Sequence, residues 1–353
     1  MTRASLPATR GDLPRLAHHS GAVLGAAAVL LVVLLTLSVG TGSTWVSPAD
    51  VWSAVTGAAA HPTHEHIVVG LRLPRALIAA VAGAMLGLAG AVLQSATRND
   101  LADPSLIGVT SGAALTVVAT LFVTGQGSVP QPWSTVLAFS GGIGACALIW
   151  ALSWRTSPHS TRLVLDGVLV SAILSALVSV LLILDGALFA AVLRWVVGSL
   201  NGRVWQDWAA LWPVAVVAIP TALALSRPLD SLWMGDPVAS SVGIRPARAR
   251  GIALVIATLL TAGAVSVVGA IGFVGLIAPH LARRIVGERP SRVLPVATAV
   301  GALLLTGADL FAQVLSLVVP AGEVGGRTAL PAGAVTAVLG GPLLFLLLAR
   351  RSR

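Results

Sequence analysis

Apolar runs of about the length needed to cross a bilayer alternate along this chain with short polar connectors rich in arginine. The first, Ser20–Thr41, has 22 residues. At about 1.5 Å per helical residue it reaches about 33 Å, enough for a hydrocarbon core of about 30 Å. It follows Arg3, Arg10 and Arg15, which resembles the basic start of a signal peptide. The run is too long for a typical cleaved one and reads as an uncleaved first span. Similar runs predict spans at about Arg75–Ala96, Leu106–Thr124, Trp133–Trp154, Leu163–Leu184, Trp208–Ser226, Val293–Val314 and Pro331–Ala349.

The run Gly251–Ala282 breaks this rhythm, because as a single helix its 32 residues would reach about 48 Å. Both of its ends are basic, with Arg245, Arg248 and Arg250 before it and Arg283, Arg284, Arg289 and Arg292 after it. The positive-inside rule puts both ends in the cytoplasm, so the run must turn back on itself. Gly269 and Gly272 are the natural breakpoint, followed by a short, partly re-entrant helix through Pro279. Ten spans result, with both termini cytoplasmic: residues 1–19 form a tail and 20–350 one membrane domain. In this arrangement the inner segments carry 17 arginines and the outer segments five, Arg72, Arg75, Arg194, Arg203 and Arg327. The outer segment Asp185–Asp207 is expected to lie at the interface, with Trp195 and Trp205 as anchors and nothing more.

Small residues recur at helix-packing spacing, as Gly83, Gly87 and Gly90, and again as Gly141, Gly142 and Gly144. Spans two to five and seven to ten hold equal numbers of elements, each block opening after basic residues. An offset of five spans would invert the second block relative to the first, a common transporter architecture.

Composition excludes several functions. The chain is 56% hydrophobic and 10% charged, with a mean hydropathy of +0.92, far outside the range of a soluble domain. Its net charge of +9 comes from arginine alone, since none of its 22 basic residues is lysine. A phosphate-binding P-loop and a Schiff-base enzyme both need a lysine, so energy from ATP must come through a partner. The arginines sit at the ends of apolar runs and form no stripe, which argues for membrane lipid and against nucleic acid. The single cysteine, Cys146, lies in an apolar run and reads as a small buried hydrophobe. No catalytic residue, cofactor or metal site is expected.

Ser226–Arg250 is a patterned polar island in this oily sequence, of the kind that contacts a soluble protein. Pro228 and Pro237 punctuate two short segments, Asp230 and Asp236 sit near helix starts, and Gly243 supplies a stop.

Three long motifs carry a resemblance. The first runs from Arg72-Leu-Pro-Arg75 through Gly83, Gly87 and Gly90 to Gln94, then from Arg98-Asn-Asp-Leu-Ala-Asp-Pro104 to Gly112. The second is Gly269-Ala-Ile-Gly-Phe-Val-Gly-Leu-Ile-Ala-Pro-His280, and the third comprises Ala308-Asp309 with Leu330-Pro-Ala-Gly-Ala-Val-Thr336. Over roughly residues 20 to 350 the chain resembles the FecCD family of ABC-importer permeases, which move ferric siderophores, haem and vitamin B12. The resemblance implies an all-α polytopic membrane protein of ten transmembrane helices, built like the vitamin B12 importer permease of the type II importers. It implies two cytoplasmic ABC ATPase subunits, an extracytoplasmic substrate-binding protein or lipoprotein, and a second permease subunit, identical or paralogous.

Residue by residue, the resemblance assigns ATPase coupling to Leu229, Asp230 and Leu232, to Gly235 and Asp236, and to Ala239, Val242, Gly243 and Ile244. Arg72 and Arg75 match outer arginines that dock acidic residues of the binding protein; their alternative role is anchoring the span at the headgroups. Asn99 and Leu101, with Ser160 and Thr161, match positions that constrict the pathway on the inner side, with helix capping as the alternative for Asn99 and Ser160. The chain departs from the family at Asp100, Gln313 and Ala329, where Pro, Arg and Glu are usual, and Arg327 is a candidate substitute for the missing arginine.

His61, His64 and His66, with Glu65, could form a transient metal site, but on a flexible outer loop they read as solvent-exposed polar residues. His280 follows Pro279 and favours a structural hydrogen bond over proton relay. Asp166 and Asp309 are the acids expected within spans, where each must face the bundle or a wet cavity. A proton-coupled secondary transporter would need such acids and is the competing class. An importer of haem or cobalamin is the alternative within the family, and a ferric siderophore or related iron chelate is the expected cargo.

Overall fold

The computed structural model describes residues 20–42, 44–57, 62–104, 108–125, 129, 133–154, 160–186, 196–318 and 330–351. The expected N-terminal tail and residues His61, Arg155, Arg194, Trp195, Arg327 and Ala329 lie outside them. All regular structure among the described residues is helical. In chain order the helices are α1 (Ser20–Gly40), α2 (Pro48–Val55), α3 (Pro62–Glu65), a π-helical turn (His66–Arg72), α4 (Leu73–Thr97), α5 (Val109–Thr124), α6 (Trp133–Trp154) and α7 (Ser160–Leu184). Then follow α8 (Trp205–Ala224), α9 (Ser226–Met234), α10 (Asp236–Ser241), α11 (Pro246–Val268), α12 (Val274–Val286), α13 (Pro290–Val318) and α14 (Ala332–Arg351).

Seven helices among the described residues are long and apolar enough to cross a membrane: α1, the continuous stretch Thr63–Thr97 that contains α4, α6, α7, α8, α11 and α13. α5 is apolar but has only 16 residues. The long run breaks where its glycines predict. α11 ends at Val268, Gly269 takes φ +76°, and α12 begins at Val274 after a left-handed Phe273. One segment read as loop is helical instead, and one span starts earlier than its apolar run. His64, Glu65 and His66 lie in the helical approach to α4, and no group of three metal-ligating side chains occurs among the described residues. The sixth span starts three residues early, because the buried Asp207 accepts the Val204 N–H at 3.0 Å and so satisfies an orphan donor of the first turn.

α4 is the axis of the bundle. It packs against α13, α11, α12 and α8, and 20 of its 25 residues are buried. The cause is its glycine face. A Cβ on Gly83 would meet the Gly301 carbonyl, one on Gly87 the Ala297 carbonyl, and one on Gly90 the Gly275 carbonyl, so these helices approach backbone to backbone. Ile78, Met85, Leu88 and Leu93 fill the space between. A smaller cluster joins α5, α6 and α7, where Gly141 abuts Gly112 and Thr116, and Thr116 donates to the Leu137 carbonyl at 2.9 Å. α7 leaves Leu165, Leu169, Ile173 and Val180 exposed, as suits a surface in contact with lipid or another membrane chain.

Candidate functional site: the two ends of the central helix

At the C-terminal end of α4, α9 and α10 form a bent pair joined by one residue, Gly235. Its backbone, φ +126° and ψ 150°, lies in a region essentially restricted to glycine. Gly235→Ala is expected to cost about 1–3 kcal/mol by this strain; an unchanged thermal unfolding midpoint in detergent would show that the turn yields. α10 closes with Gly243 at φ +83°, where the Gly243 N–H donates to Ser240 O at 3.0 Å and the Ile244 N–H to Ala239 O at 2.9 Å, the Schellman pattern.

The pair has two faces. Leu229, Leu232 and Ala239 are buried against the bundle, and Ile244 packs partly against the same core. Trp233, Met234, Val238 and Val242 are exposed, so the pair leaves four apolar side chains uncovered. The residue-by-residue assignment did not name Trp233, Met234 and Val238 for this surface; the available signal was that each lies one or two positions from Leu232 or Ala239, which turns it away from their buried face.

Both acids of the pair bond to groups of other elements, Asp230 mostly buried and Asp236 about half exposed. Asp230 accepts Arg289 Nε at 3.0 Å and the Ser291 N–H at 2.9 Å, tying α9 to the first turn of α13. Asp236 accepts Arg250 through Nη1 at 3.0 Å and Nη2 at 2.7 Å, and Arg98 Nη2 at 2.9 Å. The hydrogen bond from Arg250, opposed by partial burial and reinforced by the charges of Arg250 and Arg98, holds the Asp236 carboxyl below its ordinary value. A depressed folded value means the resulting stabilisation is complete at neutral pH and is lost as pH falls through that value.

Asn99 and Leu101 lie half-buried in the turn after α4, where Asn99 Oδ1 accepts the Leu101 N–H at 3.0 Å. Asp100 is 3.5 Å from Arg283, which also donates to Gln94. Ser160 and Thr161 open α7, but their side chains lie outside the described residues. His280 sits half-buried on α12, and its Nε2 has no hydrogen-bond partner among the described residues, so the structural bond expected there is not made by that atom.

At the other end of α4 is a cavity of about 450 Å³, lined by Arg72, Arg75, Asn201, Arg203, Gln313 and Ser316 among others. Arg72 closes the end of α1, donating to the carbonyls of Val39 at 2.9 Å, Gly40 at 3.0 Å and Thr44 at 2.6 Å. Those last carbonyls lack helical partners, which is why a cation settles there. Arg75 forks onto Asp309, Nε to Oδ2 at 2.9 Å and Nη2 to Oδ1 at 2.7 Å. Asp309 is fully buried and also receives Gln313 Nε2 at 2.8 Å. Gln313, at the place of a departure from the family pattern, reaches Ser38 as well, at 3.3 Å. Asp166 is half-buried on α7. Trp205 does more than anchor at the interface: its indole N–H donates to the Val69 carbonyl at 2.8 Å.

Comparison with known proteins agrees with this geometry. A model of the FecCD transport family matches residues 30–350. The chain is 34% identical over 327 residues to the Fe(3+)-citrate import system permease protein YfmE of Bacillus subtilis, covering 92% of this chain and 94% of that one. It is 36% identical over 314 residues to the ferric enterobactin transport system permease protein FepG of Escherichia coli, covering 89% and 91%. It is 36% identical over 308 residues to the cobalamin import system permease protein BtuC of Halobacterium salinarum, covering 85% and 80%. A solved structure of a metal-chelate type ABC transporter in an inward-facing conformation superposes with a TM-score of 0.80 at 28% identity, covering 94% of this chain and 99% of that one. Matched from its first span to its last and sharing this architecture, the chain belongs to the FecCD transport family.

Proposed function

We propose that the chain is the permease subunit of an ABC importer that carries a ferric siderophore or related iron chelate across the cytoplasmic membrane. The observation that carries this reading is the apolar face of Trp233, Met234, Val238 and Val242, presented at one end of the bundle by a family member without a nucleotide-binding lysine. Two ATPase subunits dock on that face in the cytoplasm, one on each permease, and closing them on ATP moves α9 and α10. A second permease, identical or paralogous, completes the pathway, and ten spans place both termini inside. The short helices α5 and α12, together with α14, make up the number beyond the seven. At the opposite, outer end the binding protein docks over the arginine-lined cavity. Arg72 has no acidic partner among the described residues, so it is the better placed of the two arginines to receive a carboxylate, while Arg75 is engaged by Asp309. Asn99 and Leu101, with Ser160 and Thr161, constrict the inner exit. Alternating access then follows from shifting the bundle between two packings.

Uptake of radio-iron as ferric citrate, measured in a strain lacking this permease and complemented with variants, tests the reading. Met234→Asp and Val242→Asp are expected to lower uptake about tenfold or more by burying a charge in the docking face. Uptake that continues in vesicles lacking any ATPase and follows a proton gradient would instead establish a secondary transporter. The cobalamin permease among the relatives makes cobalamin the second cargo class; cobalamin uptake in the same strains, at the expense of iron uptake, would favour it.

A further inference from the structure

The turn after α4 is held in a strained shape by the α9–α10 pair. Arg98 adopts φ +51°, a left-handed conformation that only two non-glycine residues take among those described. Its guanidinium grips the last turn of α9, with Nε 2.8 Å from the Leu232 carbonyl and Nη2 on that same oxygen, and it reaches Asp236 at 2.9 Å. Arg250 completes a ring, holding both carboxylate oxygens of Asp236 while its Nε donates to the Ala96 carbonyl, near the end of α4, at 3.1 Å. One carboxylate therefore joins α10, α11 and the end of α4.

The position of that carboxylate is informative on both sides. Asp236 follows the Gly235 turn and stands two residues before the exposed Val238. Arg98 immediately precedes Asn99, whose side chain and carbonyl accept the N–H groups of Leu101 at 3.0 Å and Ala102 at 3.1 Å. The turn from Asn99 to Ala102 is thus hydrogen-bonded within itself. On its other side Asp100 stands 3.5 Å from Arg283.

We infer that Asp236 is a positioning residue that passes displacement of the α9–α10 face to the Asn99–Leu101 turn, with the left-handed Arg98 as the lever it restrains. The inference rests on the coupling and gating roles proposed above. When the pair shifts, the grip on Arg98 shifts with it, and the strained backbone supplies a tendency to relax. The second acid, Asp230, ties the same pair to α13 through Arg289 and Ser291 and not to the turn through any hydrogen bond or ion pair among the described residues, so it provides an internal control.

The test uses the full permease–ATPase complex in proteoliposomes, with Cys146→Ser removing the single native thiol and Leu101→Cys reporting on the turn. The rate of alkylation by a charged maleimide is measured with and without ATP plus vanadate. In this parent the nucleotide is expected to change the rate about fivefold or more, a typical size for coupling between sites. Asp236→Asn and Arg98→Gly should each abolish the change, and Asp236→Glu should restore most of it. Asp230→Asn with Arg289→Ala, which weakens the Asp230 tie and leaves the Asp236 ring intact, should leave it in place. Arg98→Gly also relieves the backbone strain, so it decides the matter where Asp236→Asn fails to assemble. A full nucleotide response in Arg98→Gly, or an equal loss in the Asp230→Asn, Arg289→Ala control, overturns the inference. A parent that shows no response to nucleotide overturns the coupling reading itself.

Discussion

Arg75→Ala is expected to destabilise the protein by about 3–5 kcal/mol, the usual cost of stranding one member of a buried ion pair. Asp309 has no exposure and takes two hydrogen bonds from Arg75, so truncating the arginine leaves a buried carboxylate with Gln313 as its remaining donor among the described residues. Replacing both partners by apolar residues, as in Arg75→Met with Asp309→Leu, should recover most of the loss, because no charge is then left behind. A double-mutant cycle on thermal unfolding in detergent measures the coupling. A single Arg75→Ala protein within about 1 kcal/mol of the parent would place the pair in the same class as exposed surface bridges. The result also governs how transport data on this arginine are read, since loss of uptake in Arg75→Ala would follow from a damaged fold without any loss of docking. Arg72, which holds carbonyls and no buried acid, separates the two effects.

Gly90→Val should be comparably severe, costing about 3 kcal/mol or more. A Cβ at Gly90 runs into the backbone carbonyl of Gly275, and no side chain is available to swing aside. α4 and α12 must separate, which exposes Leu86 and Ala278 to the gap they now close. Gly144→Ala is the matched control, because nothing lies within 4 Å of the added methyl. There the intrinsic preference of alanine for helix should leave stability unchanged or slightly raised. Monodisperse, normally melting Gly90→Val protein would show that the contact between these helices has slack.

The sequence made the helices easy to place and their partners hard. Run lengths, basic flanks and the Gly269–Gly272 break are local properties, and the helices α4, α11, α12 and α13 follow them closely. Arg75 and Asp309 are 234 residues apart, so nothing in the pattern of either segment announces their fork. The α9–α10 pair shows the same limit over a short distance. Leu232 and Trp233 are adjacent and both apolar, yet one is fully buried and the other half exposed, since helical rotation turns consecutive residues about 100° apart. Asp230 and Asp236 are read from sequence as helix starts on a contact surface, and their pairing depends on Arg98, Arg250 and Arg289, which come from other elements. Trp205 carried no local sign of its bond to Val69, because that partner belongs to the approach to α4.

The glycine-faced α4 has a consequence for how this protein responds to its membrane. A helix with 20 of 25 residues buried meets almost no lipid, whereas α1 and α7 are mostly exposed. Bilayers of different thickness act on a protein through mismatch with its lipid-facing surface, met by tilting or by local stretching of the lipid. That adjustment falls on the outer ring of helices, and the register of α4 against α12 and α13, locked by backbone contact, stays constant. The link between the two ends of the molecule is thereby insulated from acyl-chain composition.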